Sequence, residues 1–468
     1  MRRYKLFSLF SGAGGIDLGF ALTDRFVPIF ANDVLAAPAG TYSHYFGHQI
    51  CRSGEPIPSQ KPVYLISDIC DVDFNLIGHD DIDVMVGGPP CQDFSIVRGP
   101  NMERKGIDVN RGRLYAHFVR ALINVQPKIF IFENVPGLKS ANSGSAYKII
   151  IEDFQRLGLR WNEVKKIIGN NANKPIKNYR ILFSDIIDTS ALGVPQRRRR
   201  LIILGIREDI FQRNWLFLES KRVEIERLLL GHNSLFKKYP LTAIEAFEGK
   251  TIPDLQKEYR KIMEDYSDLT KFVDSPRAST WQKSVWEKLK LDIVEDYIFA
   301  NKIKIKSPRE METAYESHAS ILKELEFYNV NIEGKDFFDG SNTIANESET
   351  VFSRMQMIPP DENWQFVKGT AWQVEGRGMS LIYRRLHPLK PAYTVVAYGG
   401  GGTWGYHYRR NRSRLTNRER ARLQTFPDYF PFIGSVSQVR AQIGEAIPPL
   451  VGKRLGQAIL SILDEISF

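Results

Sequence analysis

The stretch DVMVGGPPCQDFS, from Asp83 to Ser95, sets a short apolar run against two glycines, two prolines and a cysteine. Asp83-Val84-Met85-Val86 has the composition of a short buried strand. Gly87 and Gly88 end it, and Pro89 and Pro90 then fix the backbone just past the strand, Pro90 also restricting Pro89. Cys91 therefore stands on a stiff loop at the carboxyl end of a strand, where α/β sheets hold their ligands. A thiol in that position can attack an electrophile if its surroundings favour the thiolate. Judged by composition alone, Cys91 reads first as a small buried hydrophobe, which most free cysteines are.

The chain around this stretch has 468 residues, more than one core usually serves, so two domains are expected. Its apolar (43%) and charged (25%) fractions are those of a soluble globular protein. A net charge of +10 favours an anionic partner, nucleic acid first. The three cysteines, Cys51, Cys70 and Cys91, form no CxxC pair, so neither a zinc site nor a disulfide framework is expected; this usage suits a reducing cytoplasm. Met1 to Lys5 is basic, but Ser8 and Ser11 break the apolar stretch that follows, which does not read as a signal peptide. No apolar run is long enough to span a membrane.

Upstream, Leu6 to Phe10 reads as a first strand, Ser11-Gly12-Ala13-Gly14-Gly15 as a glycine turn, and Ile16 to Leu22 as a helix. Strand, glycine turn and helix N-terminus make a nucleotide-type site, because glycines admit a ligand close to the backbone and the helix end favours negative charge. The spacing is GxGG, not GxGxxG, which argues against a dinucleotide and a dehydrogenase. A tight turn without a ligand is the plainer alternative. A second strand, Val27 to Ala31, ends in Asn32-Asp33, and an acid there can accept both hydroxyls of a ribose. Val63 to Ile66 is a further strand, followed by Ser67-Asp68-Ile69.

Downstream, Ile129-Phe130-Ile131-Phe132 is a buried strand that ends in Glu133-Asn134-Val135. A carboxylate directly after four apolar residues is costly to bury as an anion, so its pKa tends upward and suits a proton donor near neutral pH; a loop or capping acid is the alternative. Gln196-Arg197-Arg198-Arg199-Arg200 then leads into Leu201 to Leu204. In strand geometry Gln196, Arg198 and Arg200 share one face and Arg197 and Arg199 the other.

Taken together these motifs resemble the DNA cytosine-5 methyltransferases. Pro90-Cys91-Gln92 with Phe94 and Ser95 matches the nucleophile loop, FSLFSGAGG the first motif, Glu-Asn-Val at 133–135 a further signature, and QRRRR the QxRxR motif. Asp108 to Tyr115 (DVNRGRLY) fits the fifth motif loosely, through Gly112 and Leu114. Leu415 to Glu419 resembles the ninth motif and Gln442 to Pro449 the tenth, with Glu445 where the family usually has Asn. The resemblance covers roughly residues 5–207 and 384–466. It implies a doubly wound, Rossmann-like α/β methyltransferase domain, discontinuous at 1–207 and 385–468, with a smaller target-recognition domain inserted at 208–384. By resemblance, S-adenosyl-L-methionine would lie against Phe10, Gly12, Gly14, Gly15, Asp33, Asp68, Pro90 and Leu114. The catalytic residues would be Cys91, Glu133, Arg198 and Arg200. No metal is implied. Partners would be double-stranded DNA and a cognate restriction endonuclease acting on the same site; the enzyme would be monomeric and without a membrane. A tRNA cytosine methyltransferase shares the motifs, but the long insert argues for duplex DNA and site selection. A non-catalytic DNA-binding relative is disfavoured by the intact Cys91, Glu133 and Arg200.

The insert is richer in Lys, Glu and aromatics. Ser307-Pro308-Arg309-Glu310 reads as a capping box opening a helix toward Phe327, and Trp281 to Ala300 as one amphipathic helix. Gly334 to Glu349 reads as loop. Gly399 to Arg410 combines glycines, aromatics and arginines, which suits contact with nucleic acid; a plain linker is the alternative. Thr416 and Glu419 form a capping box for a helix that stops before Phe426-Pro427, and a last helix should run from Pro449 to Ile466.

Overall fold

The computed structural model describes residues 2–58, 61–75, 77, 81–90, 114–159, 175–210, 215–374, 382–397 and 405–466. Cys91, Gln92, Phe94 and Ser95, the 108–113 part of the fifth-motif match, and 399–404 of the glycine–aromatic stretch lie outside the described residues. The chain packs as two compact units. One takes residues 1–189, 199–233 and 446–468, the other 190–198 and 234–445. These are units of packing, and residues 385–445 cluster within the second.

The first unit is built on one eight-stranded sheet. Its strands are β1 (Tyr4–Leu9), β2 (Phe26–Asp33), β3 (Gln49–Arg52), β4 (Val63–Ile66), β5 (Val84–Gly87), β6 (Ile129–Asn134), β7 (Tyr179–Asp188) and β8 (Arg199–Arg207), in the order β3-β4-β2-β1-β5-β6-β8-β7. The first six pair in parallel, while β8 runs antiparallel to both β6 and β7. Strands buried on both faces must be apolar throughout, and Val84 to Gly87 and Ile129 to Phe132 are fully buried. The order reverses at β1, whose neighbours β2 and β5 lie on either side, so the crevice beyond the carboxyl ends opens there. This is the doubly wound α/β sheet the motifs implied.

Register decides what meets at that edge. Leu9 pairs with Gly87, Gly87 with Phe132, and Leu9 with Asn32 on its other side. The glycine turn after β1, the proline loop after β5, Glu133 at the end of β6 and Asp33 at the end of β2 therefore emerge level with one another. Because β8 is antiparallel, its first residues, Arg199 and Arg200, lie at this same edge.

Helix α1 (Gly15–Ala21) crosses the C-terminal helix Pro449–Glu465 by direct backbone approach. A Cβ added at Gly19 would come within 2.1 Å of the Pro449 carbonyl and 2.6 Å of the Gly452 Cα; one at Gly452 would meet the Ile16 carbonyl at 2.5 Å. The last helix is where the sequence placed it.

The second unit has short helices joined by long irregular segments, and no strand longer than an isolated bridge among its described residues. Backbone carbonyls without a ladder need other donors. Buried arginines supply them. Arg385 donates to the carbonyls of Ile358 (2.7 Å) and Arg409 (2.6 Å), and Arg422 to those of Ala246 (2.9 Å) and Val330 (2.8 Å) as well as to Asp428. Arg418 pairs with Asp339 at 2.6 Å and donates to the Phe430 carbonyl at 3.1 Å.

Two helical expectations need correction here. Trp281 to Ala300 is not one helix: Pro276–Ser284 ends, a 3-10 turn follows at Trp286–Lys288, and a new helix starts at Ile293. Leu291 takes a left-handed φ of 55°, and Asp292 caps the new helix by accepting from the Val294 and Glu295 amides. The Ser307 cap is one-sided. Its hydroxyl accepts from the Glu310 amide, but the Glu310 carboxylate pairs with Lys238 at 2.5 Å instead of returning to the cap. The helix runs Pro308–Glu324. The Thr416–Glu419 box is reciprocal, opening Asn417–Leu423, and Gly334 to Ser348 is loop.

Replacing Gly19 by alanine forces two backbones apart. Gly19→Ala should lower unfolding stability by about 1–3 kcal/mol, the usual range for overpacking, read as a shift of the denaturant midpoint. An unchanged midpoint would contradict the crossing.

Candidate active site

Three loops line the carboxyl edge of the sheet. The first is the turn after β1. Phe10, half-buried, and Gly12 both take left-handed φ values, 54° and 51°, and Gly14 at 81° caps α1. Nothing lies within 4 Å of where a Gly12 Cβ would stand, so this face of the turn is open. Gly15 is the first residue of α1. Ser11 locks the turn to β2 by donating its amide to the Asn32 carbonyl (2.9 Å) and accepting the Asn32 amide on its hydroxyl (3.1 Å).

Asp33 closes the other side. Its two carboxylate oxygens accept from the Gly12 amide and the Leu35 amide, each at 3.0 Å. Burial raises its pKa, and those amide bonds oppose the rise. Val34 beside it is 60% exposed, an apolar surface next to the carboxylate. Asp68, after β4, is exposed and caps the 3-10 turn Ile69–Asp71, accepting the Cys70 amide at 2.9 Å; that bond holds its pKa down. Leu114 is the first residue of α3 (Leu114–Val125) and packs on the sheet's core.

The second and third loops meet at Glu133. Arg200 Nε stands 2.8 Å from Glu133 Oε1, with the two side chains only 16% and 14% exposed. Burial lowers the Arg200 pKa, and Glu133 opposes that shift. A Cβ at Gly88 would lie 2.7 Å from Glu133 Oε2, so a glycine there lets the proline loop approach the carboxylate. The neighbouring Asn134 ties the loop down, its side-chain amide donating to the Pro89 carbonyl at 3.3 Å. Pro90 is exposed at the last described position of this loop. Cys91, the next residue, lies outside the described residues.

The basic run divides as its period predicted: Gln196 and Arg198 are buried, Arg197 and Arg199 exposed. Gln196 and Arg198 belong to the second unit. There Arg198 donates to the carbonyls of Val395 (3.1 Å) and Glu445 (3.4 Å), and Gln196 bonds the Val395 amide (2.7 Å) and the Leu423 carbonyl (3.1 Å). Of the two arginines expected to be catalytic, only Arg200 is brought to Glu133 within its own unit.

Asp17 is the residue that sequence reasoning passed over. It is fully buried in α1, accepting from Ser8 (3.0 Å) and Tyr42 (3.1 Å) hydroxyls, and burial pushes its pKa up to about 7. The signal was present: a single acid among Gly15, Ile16, Leu18, Gly19 and Phe20.

The model of the C-5 cytosine-specific DNA methylases matches residues 4–461. The chain belongs to this family. Among curated C-5 cytosine methylases, it is 50% identical to the DNA (cytosine-5-)-methyltransferase M.ApeKI of Aeropyrum pernix, over 100% of both chains. It is 30% identical to the type II methyltransferase M.NgoFVII of Neisseria gonorrhoeae, covering 98% of this chain and 87% of that one. A solved structure described as a prophage-encoded DNA modification methyltransferase (E. coli) superposes with a TM-score of 0.53 at 19% identity, over 98% of this chain and 99% of that one, and supports the fold. The enzyme class of this C-5 cytosine methylase is therefore DNA (cytosine-5-)-methyltransferase. Among the described residues, no helix is long and apolar enough to cross a membrane.

The raised pKa of Asp17 makes folding take up a proton. Its contribution to stability is complete below its ordinary value of 3.8 and is lost as pH rises toward about 7. Across that window it should weaken folding by up to ~1.4 kcal/mol per pH unit. In Asp17→Asn the pH dependence should flatten, checked by denaturant unfolding of both proteins at pH 5 and 7. Parallel curves would contradict the assignment.

Proposed function

We propose that this chain transfers a methyl group to carbon 5 of a cytosine flipped out of a specific double-stranded DNA sequence, through a covalent Cys91 adduct. The observation that carries this reading is the Glu133–Arg200 pair, which stands against the glycine–proline loop leading directly to Cys91. Carbon 5 of cytosine is a poor nucleophile. Attack by the Cys91 thiolate on carbon 6 makes it enamine-like. Glu133 protonates or hydrogen-bonds N3 as charge develops there. Arg200 spends Nε on Glu133 and Nη1 on the Arg199 carbonyl, which leaves Nη2, among the described residues, to hold O2 of the base. Once carbon 5 carries the methyl group, loss of its proton to water re-forms the 5,6 double bond and expels the Cys91 thiolate, which releases the product. A stacked base cannot reach Cys91, and unstacking costs a few kcal/mol, offset by pocket and backbone contacts. Arg198, by its bonds to Val395 and Glu445, acts by positioning.

The residues at the turn after β1 fit S-adenosyl-L-methionine. The open face at Gly12 admits a ligand to the backbone, and Asp33 offers its carboxylate for ribose hydroxyls. Phe10, Gly14, Gly15, Asp68, Pro90 and Leu114 would complete the site. When bound, the cofactor supplies an electrophilic methyl group.

Residues 1–207 and 385–468 are proposed as the catalytic part and 208–384 as the target-recognition part. The type II names of relatives support a methylase that protects DNA from a cognate restriction endonuclease; that it acts as a cytoplasmic monomer is part of the proposal.

Two experiments test this reading. With 5-fluorocytosine at the target carbon, fluorine cannot leave as a cation, so the methylated adduct should persist on denaturing electrophoresis, depend on S-adenosyl-L-methionine, and map to Cys91. Cys91→Ser should form none, since a hydroxyl ionises far less readily than a thiol of pKa ~8.5. An adduct on Cys51 or Cys70 would sink the mechanism. For specificity, grafting 208–384 onto another family member should carry the methylated sequence with it, as read by bisulfite sequencing. An active chimera that keeps its old site would refute the assignment.

A further inference from the structure

Gly12 has an open face, yet both peptide groups flanking its Cα are held. Its amide donates to Asp33 Oδ2 at 3.0 Å, and its carbonyl accepts from the Tyr64 hydroxyl at 3.1 Å. The second anchor comes from β4, where Tyr64 pairs with Ala31 of β2. Tyr64 is fully buried, and burial holds its proton on well above the usual tyrosine range, so it is a donor near neutral pH. Its ring sits edge-on against Tyr42, with centroids 5.0 Å apart. Tyr42 lies within α2 (Ala36–Phe46), donates to Asp17, and underlies Gly14, where an added Cβ would approach its ring to 2.6 Å. Both rings are fully buried.

We propose that Tyr64 is a positioning residue for the cofactor, acting through Gly12 on Asp33. The inference rests on the reading of this turn as the S-adenosyl-L-methionine site. The Tyr64 bond fixes the orientation of the Gly12–Ala13 peptide. That in turn keeps the Gly12 amide aimed at Asp33 Oδ2 and the Asp33 carboxylate turned for ribose hydroxyls. A hydrophobic residue at 64 would leave the strand and the ring packing intact while releasing the turn. No motif marks this position, because its partner is a backbone carbonyl 52 residues away.

Tyr64→Phe tests this, with the full chain and S-adenosylhomocysteine as the calorimetric probe. Loss of one neutral hydrogen bond should weaken binding about three- to tenfold. Affinity for duplex DNA should stay near that of the parent, and KM for S-adenosyl-L-methionine should rise more than kcat falls. The control is Tyr179→Phe, which removes another buried hydroxyl from the same sheet, one that donates to the Pro127 carbonyl at 2.9 Å. It should show a similar loss of thermal stability without the loss of affinity. Equal weakening in the two variants overturns the role of Tyr64, as does unchanged binding in Tyr64→Phe while Asp33→Ala binds at least tenfold more weakly. Unchanged binding in Asp33→Ala overturns the cofactor reading itself.

Discussion

The pairing of Leu9 with Gly87 and of Gly87 with Phe132 is the constraint on which the active edge depends. Three adjacent strands end at one level, so three loops with different chemistry start from one line. β5 and β6 are buried on both faces, so a slip of one residue would not expose a face; it would draw a polar end residue such as Glu133 into the apolar sheet. The apolar runs of β5 and β6 make that slip costly, and the burial that stabilises the sheet is therefore what aligns Glu133 with the proline loop. The antiparallel entry of β8 adds the last member, since only a strand starting at this edge can present Arg200 there.

The two units solve the backbone problem differently. In the first, sheet ladders satisfy the carbonyls. In the second, arginine guanidinium groups do so, with Arg385, Arg418 and Arg422 fully buried and each bonded to several carbonyls or acids. A guanidinium carries five donors in a fixed plane and keeps its charge, so it can gather carbonyls from separate segments. Basic residues there are not all available to a nucleic acid, and the net charge of +10 overstates the free positive surface.

Much of this was legible beforehand. The strands bearing the motifs are contiguous apolar runs with glycine or acid at their ends, and each was found within a few residues of its place. The capping box at Thr416 was readable because its two halves lie three residues apart. The Glu133–Arg200 contact was not readable from local pattern, since it depends on which strand lies beside β6. Nor was the break at Leu291, where a left-handed residue and a capping aspartate override the helical period. Arg198 had the right periodicity but no indication that carbonyls of Val395 and Glu445 would occupy it. Asp17 and Tyr64 were missed because each is bonded to partners on other elements, which local pattern does not reveal.

The close crossing of α1 with the C-terminal helix bears on how the protein is made. α1 leaves the ribosome long before the helix that covers it, because the two lie far apart in the sequence. Contacts of such long sequence separation form late. Until Gly452 arrives, the flank of α1 at Gly19 lacks the backbone it packs against. A nascent chain that has not reached Gly452 thus lacks this crossing. Docking of the Pro449–Glu465 helix is therefore a late checkpoint in the folding of this unit.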